Sequence, residues 1–138
     1  MSFGTHMPLD KDDLPKEGSV GTEDRDEYVA EMMAAGFSII VPKTNELFVD
    51  LDTEDQYRRF EVMFDTMHVK FPGITCEIKE SAGGYPKRHA YITLTWDVSE
   101  YERIAWQAIL CSDPYREMCS MKRVMTGSLP ATIFKERR

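Results

Sequence analysis

The stretch Leu47-Phe48-Val49-Asp50-Leu51-Asp52 alternates in character from one residue to the next. Side chains of an extended chain point to opposite faces in turn, so Leu47, Val49 and Leu51 share one face and Phe48, Asp50 and Asp52 the other. Such a pattern is that of a strand with one face in a core. Immediately after it, Tyr57, Phe60, Phe64, Met67 and Phe71 recur at helical spacing until Pro72-Gly73 ends the run. Two further alternating runs follow, Ile74 to Lys79 and Arg88 to Trp96, joined by the loop Glu80 to Lys87. In the first, Ile74, Cys76 and Ile78 oppose Thr75, Glu77 and Lys79. In the second, Ala90, Ile92, Leu94 and Trp96 oppose His89, Tyr91, Thr93 and Thr95.

Working outward, the spacing predicts a helix from about Glu23 to Ala35, stopped by Gly36, and a strand from Phe37 to Val41, ended by Pro42. Downstream, Ser99 and Glu102 form a capping box for a helix through Cys111. Ser112-Asp113-Pro114 starts another helix, with Gly127 after its end. Thr132 to Lys135 reads as a last short strand. From Leu47 onward the order is strand, helix, strand, strand, helical segment, strand. The expectation is an α+β fold, a ferredoxin-like (RRM-like) split βαβ antiparallel sheet with helices on one face and an extra N-terminal helix and strand. The opposite face would then be open, displaying Phe48, Asp50, Asp52, Glu77, Lys79, His89 and Tyr91.

The 138 residues suit one domain. Residues 1–22, rich in Pro, Gly, Asp and Lys and without periodicity, are expected to form a disordered acidic arm ahead of a domain over 23–138. Of the net charge of −7, most belongs to that end of the chain: residues 1–29 carry eight acids against three bases. From Arg116 to the C-terminus, six bases face two acids, so the tail end is locally basic, but the domain is not a general polyanion binder. No apolar run reaches the roughly 18 residues of a membrane span and no signal segment is apparent, so the expectation is a cytoplasmic protein with no membrane partner. Cys76, Cys111 and Cys119 lack metal or disulfide spacing and read as reduced core residues.

Three features carry chemistry. Asp50 and Asp52 point the same way about 7 Å apart, where their oxygens can converge on Mg²⁺ or Mn²⁺, cations that prefer such ligands. The competing account has Asp52 or Thr53 capping the next helix, with Asp50 solvated. The loop Ser81-Ala82-Gly83-Gly84-Tyr85-Pro86-Lys87-Arg88-His89 offers glycines that let backbone approach a phosphate, beside three cationic or hydrogen-bonding side chains. Equally, Gly83-Gly84 makes an ordinary hairpin turn. The basic residues Lys122, Arg123, Lys135, Arg137 and Arg138 suit either a nucleic-acid backbone or a solvated face. Met118, Met121 and Met125 have helical spacing and read as core.

Together these features resemble the catalytic module of the archaeo-eukaryotic-type primase-polymerases. Asp50 and Asp52 match the family's Asp-x-Asp pair on its first core strand. Ser81-Ala82-Gly83-Gly84 leading to His89 is similar to its Ser/Gly-rich loop and histidine. The resemblance implies metal binding by Asp50 and Asp52, with Glu136, at the end of the last strand, as a candidate third acid. It implies a nucleoside triphosphate held by Ser81, Gly83, Gly84, Lys87, Arg88 and His89, and nucleotidyl transfer on DNA as in replication. Two other readings stand beside it. One is a non-catalytic RRM-like nucleic-acid module in which Phe48 and Tyr91 stack on bases. The other is a protein-binding or inhibitory domain that uses the open sheet face.

Overall fold

The computed structural model of the chain describes residues 25–81, 83–130 and 132–137. The expected arm over residues 1–22 lies outside them. Nine elements follow in order: α1 (Arg25–Ala34), β1 (Phe37–Ile40), β2 (Glu46–Leu51), α2 (Glu54–Lys70), β3 (Thr75–Glu80), β4 (Arg88–Thr93), α3 (Glu100–Ile109), α4 (Pro114–Met125) and β5 (Phe134–Arg137). The described residues form an α+β fold, with four helices and two antiparallel sheets among them.

Alternation in β2 has the expected result: Leu47, Val49 and Leu51 are fully buried. They pack with Ala90 and Ile92 of β4, Ile74, and Phe60 and Met67 of α2 in one apolar cluster. Helix α2 begins where Thr53 turns extended and its side chain accepts a hydrogen bond from the Gln56 N–H at 3.1 Å. Glu54 and Asp55 stand in the first turn and His68 and Lys70 in the last, each favourable to the helix dipole. The capping box of α3 is present: Ser99 N–H donates to Glu102 Oε1, and Glu102 N–H to Ser99 Oγ.

The first sheet has the order β2-β4-β3, with Asp50 opposite His89 and Phe48 opposite Tyr91. In the split βαβ arrangement the last strand would lie along the outer edge of β2. Here β5 instead pairs with β1 in a separate two-stranded sheet, Phe134 opposite Ile40. The reason is visible along that edge, where the backbone groups of alternate β2 residues are already taken. Arg103 Nε donates to the Glu46 carbonyl, and Gln107 Oε1 accepts from Phe48 N–H. An Arg116 guanidinium nitrogen donates to the Phe48 carbonyl, and Ser112 Oγ accepts from Asp50 N–H. The Asp50 carbonyl accepts from Asp113 N–H and from Gln56 Nε2. Side chains of α3 and α4 thus stand where a fourth strand would, and they satisfy polar groups that cannot be buried unpaired.

The open face is the second correction. Phe134 of β5 lies flat over Phe48, with ring centroids 4.9 Å apart, and over His89 at 3.6 Å, nearly parallel to both. Phe48 is buried and so is His89, at 9% exposure, whereas the alternation alone places both toward solvent. No helix among the described residues is long and apolar enough to cross a membrane.

Candidate metal and anion site

Asp50 and Asp52 leave β2 on the same side, as the alternation requires. The start of α4 brings a third carboxylate to them. Asp113 is the N-cap of that helix; its side chain accepts from Tyr115 N–H, and its own N–H bonds the Asp50 carbonyl at 2.8 Å. Asp50, Asp52 and Asp113 each offer one ligand oxygen within 4.8 Å of the others, a cluster that can hold a metal ion. Because Thr53 caps α2, the Asp52 carboxylate is not spent on the helix start.

Crowding of like charge in a partly buried place has a predictable cost. The Asp50 carboxyl is pushed up to about 6, mainly by burial. Asp52, Asp113 and Glu117 add to the rise, and Arg116 opposes it. Asp52 is raised too, by burial and by Asp113, with Lys87 and Arg116 working the other way. A bound cation would relieve both shifts, since a positive charge favours the ionised forms.

Beside the carboxylates is a cleft of about 270 Å³, lined among others by Asp50, Asp113, His89, Arg116, Phe134 and Lys135. His89 Nε2 stands 3.8 Å from Asp50 Oδ1. Arg116 is almost fully buried. Its Nη2 reaches the Phe48 carbonyl, Ser112 Oγ and Glu117 Oε2, and its Nε also bonds Glu117. Its Nη1 has no hydrogen-bond partner among the described residues.

The remaining residues marked by the sequence divide clearly. Ser81 lines the cleft. Lys87 comes near enough to Asp52 to act on its ionisation. Gly83 and Gly84 serve the turn: Gly84 sits at φ +80°, and the N–H groups of Gly83, Gly84, Tyr85 and Lys87 all bond within the segment from Glu80 to Lys87. That loop is a closed hairpin turn rather than a row of donors facing a ligand. Arg88 points away from the site, to the α2 face, where it pairs with Glu54 at 3.0 Å and stacks on Tyr57 at 3.9 Å. Phe48 lies beneath Phe134 and has no face for a base. Tyr91, half-buried, meets Phe48 and Phe134 edge-on and carries the Lys79 ammonium over its ring. Glu136 pairs through its backbone with Ser38 in the second sheet, and its carboxylate lies outside the described side chains.

Two site residues escaped the sequence reading, Asp113 and Arg116. The signal was the Ser112-Asp113-Pro114 helix start followed one turn later by Arg116-Glu117, charges on a face that the packing buries. The chain matches no protein-family model, no curated protein and no solved structure.

Proposed function

We propose that the chain is a divalent-metal-dependent, nucleotide-binding domain of primase-polymerase type, its chemistry phosphoryl or nucleotidyl transfer. The observation that carries this reading is the convergence of Asp50, Asp52 and Asp113, two of which, Asp50 and Asp113, line a cleft together with Arg116 and His89. Three carboxylate oxygens are a hard donor set that suits Mg²⁺ or Mn²⁺ better than softer metals. The β2-β4-β3 order, with Asp50 and His89 in direct register, supports an RRM-like core and sets the acid pair beside the histidine, as the resemblance implies. Such a cation neutralises phosphate charge when bound. The chain's own residues would orient the ligand: Arg116 and Lys87 by charge, His89 and Ser81 by hydrogen bonding. Burial of Phe48 speaks against a base-stacking nucleic-acid module.

Electron paramagnetic resonance of Mn²⁺ titrated into the protein tests the metal assignment. Wild type should bind Mn²⁺, and Asp113→Asn should weaken binding at least tenfold, as should Asp50→Asn. Asp97→Asn should have no effect, because that carboxylate is outside the cluster and accepts from Thr44 Oγ1 at an exposed turn. Equal affinity in the Asp113 and Asp97 variants would dismiss the assignment.

A further inference from the structure

We infer that the outer edge of β3 docks a second copy of the chain, the two β3 strands pairing antiparallel about a two-fold axis at Ile78. The inference stands apart from the cation site and does not depend on it.

The two ends of the β2-β4-β3 sheet are finished differently. Along β2 the outward backbone groups are taken by side chains of α3 and α4. Among the described residues, no strand pairs with the outer edge of β3. That strand follows β4 in unbroken register from Thr75 to Glu80, without a proline or a bulge, two of the devices that blunt an edge. Alternation decides which of its groups face outward. Ser81 N–H donates to the Lys87 carbonyl at 2.9 Å in continuation of the same register, so the odd-numbered residues of β3 turn to β4. Cys76, Ile78 and Glu80 therefore turn their backbone N–H and C=O groups away from the sheet.

Charge then selects a register. Residues opposite each other in an antiparallel pair share a face, so two copies of one strand must pair about a residue that meets itself. Within Thr75–Glu80 the longest overlaps centre on Glu77 or on Ile78. The first sets Glu77 against its own copy, like charge directly opposite like. The second sets Glu77 against the partner's Lys79 and Lys79 against the partner's Glu77. It also covers Ile78, 36% exposed, with its mate. In this register the outward groups match as well: Ile78 exchanges two hydrogen bonds with its copy, and Cys76 exchanges two with the partner's Glu80. Glu77 and Lys79 fall at non-hydrogen-bonded positions, where facing side chains approach most closely. Within one strand their charged groups already stand 3.9 Å apart, so pairing closes a ring of four alternating charges. Exposed pairs of this kind add little affinity and serve to fix the register. With the β2 end closed by side chains, assembly stops at two copies and does not run on into a fibre. A strand edge offers less than the roughly 800 Å² per partner of a standard interface, so the dimer is weak.

Sedimentation equilibrium of the full chain from about 1 μM to 1 mM tests this, with a reversible monomer–dimer midpoint expected on the order of 100 μM. Glu77→Lys and Lys79→Glu should each weaken self-association about tenfold, because like charges then face each other at two symmetry-related places. An equimolar mixture of the two variants should regain the wild-type affinity to within about threefold, and so should the doubly swapped chain, since opposite charges again meet. Both side chains are exposed, so the variants should keep the fold, and the mixture has the same mean net charge as wild type. Amide hydrogen exchange gives a second reading: the N–H groups of Cys76, Ile78 and Glu80 should slow as protein concentration rises, and those of Glu77 and Lys79 should not. A chain that stays monomeric throughout has only a solvated edge, and the inference falls. It falls equally if assemblies exceed two copies, if the single variants associate as wild type does, or if their mixture is no stronger than its components. Protection of the Cys76, Ile78 and Glu80 amides at every concentration would place another segment of the same chain on the edge and overturn it too.

Discussion

The two faces of β2 are built on different principles. Toward α2, Leu47, Val49 and Leu51 meet Phe60, Met67 and the apolar residues of β4 in a cluster with no polar demand. On the other side, Phe48, Asp50 and His89 are also largely withdrawn from water, but among Phe134, Arg116, Asp113 and Glu117. Burial stabilises the first face directly. On the second, burial raises the energy of an ionised carboxylate and requires each polar group to find a partner. A face assembled at such a cost is where a ligand has most to relieve, which is why the candidate site lies there.

The largest effect that could sharpen this contrast is on Asp50. Its carboxyl, raised from the usual 3.8 to about 6, costs the metal-free protein on the order of 2–3 kcal/mol once ionised, at about 1.4 kcal/mol per pKa unit. The sign follows from linkage. A group whose folded pKa is raised leaves stability intact below its unfolded pKa and removes it as pH climbs through the folded value. Asp50→Asn should therefore gain up to that amount over metal-free wild type at pH 8, and the gain should fade between about pH 6 and pH 4. Urea unfolding in chelator at both ends of that range checks it. A variant no more stable at pH 8 than at pH 4, relative to wild type, would mean that the two faces do not differ in this way.

A smaller effect is expected at the edge that joins the faces. Gln107 is fully buried; it accepts from Phe48 N–H at 2.8 Å and donates to Glu117 Oε1 at 2.9 Å. Gln107→Ala leaves a buried amide and a buried carboxylate oxygen short of a partner, a loss of about 1–3 kcal/mol in urea unfolding. A loss below half of that would indicate that water or another donor reaches the edge, and that the side-chain substitute for a fourth strand is less closed than its geometry.

The same edge explains what the sequence could and could not disclose. Local alternation sufficed for the core face, since each residue's side follows from its neighbour's. Cap chemistry sufficed for α3, because Ser99 and Glu102 are three residues apart. Apart from Gln56, the partners of β2's outer edge lie 57 to 68 residues along the chain. No periodicity within β2 signals that Gln107, Ser112 and Arg116 will occupy it. Without that knowledge β5 has an apparent place beside β2, and the face with Phe48 and His89 an apparent opening. Asp50, Asp52 and His89 were legible as chemistry-bearing types in register. Asp113 was legible only as a helix cap, because its second role depends on where α4 begins in space. Ser81 was marked for the loop's glycines but reaches the cleft on its own account, whereas Gly83 and Gly84 shape the turn.

The smallest effect separates the two readings of the end of β2 that alternation alone left open. Thr53 and Asp52 are adjacent, either suits an N-cap, and the structure assigns that role to Thr53 through Gln56 N–H at 3.1 Å. Thr53→Ala should therefore cost about 1 kcal/mol, the usual value for a lost cap, and leave Mn²⁺ affinity where it was. Asp52→Asn should do the reverse. Its carboxyl is raised by burial and by Asp113, so neutralising it relieves the apo protein, while one of three oxygen ligands loses its charge and Mn²⁺ affinity falls. Measuring both quantities on both variants gives four numbers whose pattern, not size, carries the argument. Should Asp52→Asn lose stability and keep its Mn²⁺ affinity, Asp52 would belong to the helix start and the metal cluster would shrink to Asp50 and Asp113. Two carboxylates beside a buried arginine are better explained as an internal charge network than as a cation site. The crossed outcome instead leaves a carboxylate with no structural duty, held against its own repulsion next to two others, and a bound cation is the simplest reason for keeping it there.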